Sequence, residues 1–78
     1  MTDTADIIFD LRGLKCPLPV LRSRKKLSGL QAGDVLVVET TDPLAVIDIA
    51  HMCNQDGHSL VETTTLTKGH RFRIVKGA

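Results

Sequence analysis

Asp10-Leu11-Arg12-Gly13-Leu14-Lys15-Cys16-Pro17-Leu18-Pro19 is the stretch on which the reading of this chain turns, because a strand ends and a helix begins inside it. Upstream, Asp6 to Leu11 is a short apolar run rich in strand formers, stopped by Arg12-Gly13. Downstream, Pro17 and Pro19 fall in the expected first turn of a helix, where proline is tolerated because those N–H groups lack an intrahelical partner. That helix is predicted to run to about Ser28, with Gly29 as its stop and Val20, Ser23 and Leu27 as a narrow inward stripe.

The same alternation continues outward. Ala32-Gly33-Asp34 turns the chain into Val35 to Thr40, a β-branched run that reads as a strand. Asp42 and Pro43 read as N-cap and first residue of a second helix, with Val46, Ile49, Ala50 and Cys53 on its apolar face and Gly57 at its end. His58 to about Leu66 and His70 to Val75 read as two strands joined at Lys68-Gly69. The order βαβαββ and the right-handedness of strand–helix–strand units put both helices on one face of one sheet. The expected fold is therefore α+β, a two-layer α/β sandwich with a four-stranded mixed sheet. Its other face is left open, and Thr63 and Thr65 are expected to solvate it. Residues 1–78 form one domain, with 1–5 expected to be flexible and Gly77-Ala78 a short tail.

A chain of 78 residues buries about 60% of its unfolded surface, enough for one core but not for a deep substrate cavity. Phe9 and Phe72 are its only aromatic residues, which argues against a stacking platform for single-stranded nucleic acid. Net charge is +1, yet Arg12, Lys15, Arg22, Arg24, Lys25 and Lys26 share a segment without an acidic residue. Such a local patch suits docking to an acidic protein surface better than general polyanion binding. No apolar run exceeds four residues and the first residues lack a basic segment, so neither a membrane span nor a secretory signal is expected. The expected compartment is the cytoplasm, where thiols are kept reduced.

Cys16 is the candidate catalytic residue. Standing at the expected N-cap beside Lys15 and Arg12, it has the helix dipole and two cations to favour a thiolate, with the N–H groups of Leu18 and Val20 as available donors. The alternative is a small half-buried residue next to a helix start. Cys53, on an apolar helix face, reads as a core residue. No metal site is expected from Cys16, Cys53, His51, His58 and His70, which have no compact ligand spacing. Asp10, Asp34 and Asp42 sit at element edges where turn and capping roles suffice. With no general base in view, the chemistry open to Cys16 is exchange at sulfur, and no cofactor is expected.

Asp10-x-x-Gly13-x-x-Cys16-Pro17-x-Pro19, followed by Gly33-Asp34, Asp42-Pro43, Cys53 and Gly57-His58-x-Leu60, resembles the TusA/SirA-like family of small sulfur carriers. The resemblance implies that Cys16 accepts sulfane sulfur as a persulfide from a cysteine desulfurase or another sulfurtransferase. It implies that Cys16 then passes the sulfur to a downstream relay protein. It further implies that Gly13, Pro17 and Pro19 shape the loop. Arg12, Lys15, Arg22, Lys25 and Lys26 are the expected partner-binding residues. The best-known relay in such a family ends in 2-thiolation of a tRNA wobble uridine; others serve sulfur oxidation or molybdenum-cofactor synthesis. Leu18 stands where many members carry an acidic residue. Two other classes compete: an RNA-binding module, since βαβαββ also resembles a domain of a bacterial translation initiation factor, and a redox adaptor that forms mixed disulfides. Direct nucleic-acid or membrane binding is not expected.

Overall fold

The structure, a computed structural model, describes residues 6–77. The expectation of flexibility for residues 1–5 lies outside them. Six elements follow in the expected order: β1 (Ile7–Asp10), α1 (Leu18–Ser28), β2 (Val35–Thr40), α2 (Ala45–Asp56), β3 (Ser59–Thr65) and β4 (His70–Val75). The sheet runs β1-β2-β4-β3. β1 lies parallel to β2, while β4 is antiparallel to both β2 and β3. β3 therefore runs parallel to β2 but is separated from it by the returning strand. The pairing of β3 with β4 slips at Leu60/Glu62, leaving Val61 in a bulge.

Both helices pack on one face, and the core lies between. Leu36 and Val38 of β2 alternate inward with Phe72 and Ile74 of β4, under Leu27 of α1 and Ile49, Met52 and Cys53 of α2. Leu36 faces Ile74 and Val38 faces Phe72 across the strand pair, so the aliphatic content of the chain is spent in two interlocked rows. Phe72 is fully buried. Truncating a phenyl ring in such a position costs about 3–5 kcal/mol.

Three sequence expectations about faces change. In α1 the buried stripe is Pro19, Ser23 and Leu27, with Val20 only half-buried. Pro19 lies four residues before Ser23 and eight before Leu27, so helical geometry puts it on their face. In α2, Ala45 and Met52 join Ile49 and Cys53 inside, whereas Ala50 is exposed. Thr63 and Thr65 do not cover the open face. Their partners on β4 are Phe72 and His70, so they point to the helix side at the exposed margin of the sheet.

The open face is instead covered by ion pairs. Arg71 meets Glu39 at 2.9 Å, and Arg73 reaches both Asp6 and Glu62. Val37, opposite Arg73, is only 2% exposed although no helix covers it; the arginine stems shield it. Each such partly exposed pair is worth about 0–1 kcal/mol, so their main effect is to keep apolar β-sheet out of water.

The expected tail is packed through Gly77. Its N–H donates to Nδ1 of His58 at 3.0 Å. A side chain there would collide with the Gly57 carbonyl, since an added Cβ would stand 1.8 Å from that oxygen.

Candidate functional site

The loop between β1 and α1 is built from side chains that satisfy its own backbone. Leu11 extends the β1–β2 pairing by one bond, to the Glu39 carbonyl, and buries its side chain. Arg12 folds back on Asp10, donating from its backbone N–H and its guanidinium at 2.9–3.0 Å. Those hydrogen bonds hold the Asp10 carboxyl down at about 2. Gly13 takes a φ of +87°, the left-handed region that side chains avoid, and gives its N–H to Thr41 Oγ1 at 2.8 Å.

Cys16 is then fixed from the other side of the molecule. Its N–H donates to Asp42 Oδ2 at 2.6 Å, and Oδ1 of the same carboxylate accepts the Leu44 N–H at 3.0 Å. One carboxylate thus joins the loop before α1 to the turn before α2. Asp42 and Pro43 precede α2 rather than open it, because N-cap Leu44 stands between them and Ala45. While one oxygen of Asp42 holds the Leu44 N–H ahead of α2, the other reaches across to Cys16.

Cys16 itself is not the N-cap of α1. Pro17 holds that place, the Cys16–Pro17 peptide is cis, and the helix starts at Leu18. The Leu18 N–H is taken by the Lys15 carbonyl at 2.8 Å, so it is not a donor to the thiol. Nor do the expected cations converge there. Arg12 is committed to Asp10, and Lys15 is exposed with no ion pair among the described residues.

What does converge is carboxylate. Cys16 and Pro17 cap a hollow of about 250 Å³ between the helices, walled by Arg24 of α1 and by Asp48, His51 and Gln55 of α2. Hydrogen bonding to Asp48, then desolvation, then the charges of Asp48 and Asp42 raise the Cys16 thiol above its ordinary value. This reverses the expected direction: the nearest charges are negative. The sequence reading missed Asp48 and Gln55, and weighed His51 only as a metal ligand. Their spacing of three and four residues beside the apolar stripe of α2 was the available signal.

Cys53 is buried beneath the same helix, and burial pushes its thiol up to about 11. Cys16 is exposed. Among the described residues no cluster of three or more His, Cys, Asp or Glu side chains could hold a metal ion. His58 accepts the Gly77 N–H, and burial together with Lys76 lowers its proton affinity.

The remaining cations form a separate place. Arg22, Lys25 and Lys26 line a second hollow of about 600 Å³ with Phe9 and Leu30, and Lys26 Nζ stands 5.7 Å from the Phe9 ring centre. Cys16 is not among its walls. Arg24, also from the basic segment, turns instead to Asp56 at 2.7 Å.

Known proteins resemble this chain over most of its length. A family model described as sulfurtransferase TusA matches residues 7–76. A candidate sulfur carrier protein of Neisseria meningitidis is 49% identical over 56 residues, covering 72% of this chain and 76% of its own length. Another, from Bacillus subtilis, is 36% identical over 73 residues, covering 94% and 97%. The crystal structure of a SirA-like protein from Desulfitobacterium hafniense superposes with a TM-score of 0.80 at 30% identity, covering 92% of this chain and 99% of that one.

Proposed function

This chain belongs to the sulfurtransferase TusA family, and on that premise we propose that Cys16 carries sulfane sulfur as a persulfide between a donor and an acceptor protein. The observation that carries the reading is the contrast between two thiols. Cys16 is exposed on a loop clamped by Asp42, whereas Cys53 is sealed in the core. Exchange at sulfur needs an accessible attacking thiol and little further machinery.

The sulfur enters when Cys16 attacks the outer sulfur of a donor persulfide, from a cysteine desulfurase or another sulfurtransferase. The donor leaves as a thiol and Cys16 keeps the transferred sulfur. A downstream relay protein then takes it by the same exchange. Gly13, Pro17 and Pro19 hold the loop, and Arg22, Lys25 and Lys26 dock an acidic partner surface, with Arg12 and Lys15 at its margin. Family resemblance supports 2-thiolation of a tRNA wobble uridine as the end of the relay, and the cytoplasm as its place. No helix among the described residues is long and apolar enough to cross a membrane.

The test is mass spectrometry after incubation with a desulfurase and cysteine. Wild type should gain one sulfur on Cys16, Cys16→Ser should gain none, and Cys53→Ser should load like wild type. Equal loading of both variants would overturn the assignment.

A further inference from the structure

The hollow beneath Cys16 holds a carboxylate, Asp48, that no cation among the described residues pairs with. Its charged and titratable groups are Asp48 and His51 from α2 and Arg24 from α1, while Asp42 acts on Cys16 from the turn that holds its backbone. Arg24 is engaged by Asp56 at 2.7 Å. Asp42 is engaged by two backbone N–H groups. Asp48, half-buried beside the thiol, has no ion-pair partner among the described residues. Arg22, Lys25 and Lys26, which form no ion pair among the described residues, line the other hollow.

An unpaired carboxylate next to a thiol opposes ionisation of that thiol. In the empty carrier Asp48 therefore disfavours the Cys16 thiolate, and a positive charge brought against Asp48 would favour it. Resting on the sulfur-carrier reading above, we propose that the mouth of this hollow seats a basic side chain of the donor protein on Asp48, and that its arrival releases Cys16 as a thiolate. The space is sufficient for one long side chain, at about 250 Å³.

The step balances without an oxidant. The Cys16 S–H proton passes to solvent, and the thiolate electron pair attacks the outer sulfur of the donor persulfide. The donor's S–S bond breaks as the new S–S bond forms on Cys16. The departing donor thiolate takes a proton back from solvent. Once loaded, the ionising sulfur lies one bond of about 2 Å further out, so Asp48 restrains the cargo less than the empty thiol.

Two short peptide persulfides, identical except for Lys or Glu beside the persulfide cysteine, test the proposal at low salt. Wild type should take sulfur from the Lys peptide about fivefold faster than from the Glu peptide, the ratio expected of one exposed ion pair. Asp48→Asn should bring the ratio close to one, and Asp48→Glu should restore it. Attraction by the basic patch alone would favour the Glu peptide, the opposite sign. No preference in wild type, or a preference that survives Asp48→Asn, would overturn the proposal.

Alkylation of Cys16 by iodoacetamide supplies a second readout that needs no sulfur transfer. Its pH profile should move to lower pH in Asp48→Asn; an unmoved profile would also overturn the role of Asp48. Failure of wild type to load from either peptide, with the alkylation shift present, would instead overturn the sulfur-carrier reading itself.

Discussion

The Cys16 backbone N–H and the Asp42 carboxylate meet at 2.6 Å across 26 residues of chain. That bond makes the position of the thiol a property of two loops at once, since the same carboxylate also holds Leu44 ahead of α2. The sulfur is exposed, but the backbone that carries it is held in place.

We expect Asp42→Ala to cost about 1–3 kcal/mol, the range for losing hydrogen bonds to a charged group. Urea unfolding reads this directly, and Asp42→Asn, which keeps one acceptor oxygen, should recover part of the loss. Sulfur loading of folded Asp42→Ala should also slow, because its Cys16 is no longer held. Unchanged stability and loading would show that the clamp is dispensable.

Gly13→Ala forces a side chain into left-handed backbone at φ +87°. A destabilisation of about 1–2 kcal/mol is expected, visible as a lower Tm. An added methyl meets no other atom there, so conformation alone should set the cost. A stability equal to wild type would mean that the loop relaxes to another turn.

Alkaline conditions should unfold the protein partly through Cys53. Its thiol is raised from 9.0 to about 11 in the folded state, so between those values the unfolded chain gives up a proton that the folded chain keeps. Stability is then fully present below about pH 9 and falls as pH rises toward 11. Thermal melts from pH 8 to 11 on wild type and Cys53→Ala should show a steeper decline for wild type. Parallel declines would remove Cys53 as the cause.

Reversing Lys25 and Lys26 to Glu should slow association with an acidic donor, more at low salt than at high salt, because exposed charges are screened within about 8–10 Å near physiological ionic strength. Stopped-flow association over a salt series checks this. Rates that ignore salt in wild type would exclude electrostatic docking through this patch.

Element order, the turn glycines and the β-branched run of β2 were legible because they follow from local rules: β-branched runs, turn residues and helical spacing. The fold class followed from the handedness of the crossovers. What sequence could not supply was which long-range partner each polar residue would choose. Arg12 looked like a cation for Cys16 but is claimed by Asp10 two residues away. Asp42 looked like a helix cap, and besides holding the Leu44 N–H it also reaches a different loop. Asp48 attracted no notice because its importance depends on a contact between α2 and the loop before α1. The electrostatics of the thiol were therefore read with the wrong sign, although the thiol itself was singled out correctly as the exposed one.

The slip at Leu60/Glu62 also bears on how this molecule meets others. β3 is an outer strand of the sheet, and a bulge there breaks the regular row of N–H and C=O groups that another chain would need in order to zip on. Glu62, with its side chain 63% exposed beside the break, adds a charge to the same margin. Extension of the sheet by a foreign strand is disfavoured along that stretch. Contacts made through side chains dissociate without unpicking a ladder of backbone bonds, which suits a courier that must let go of every hand it shakes.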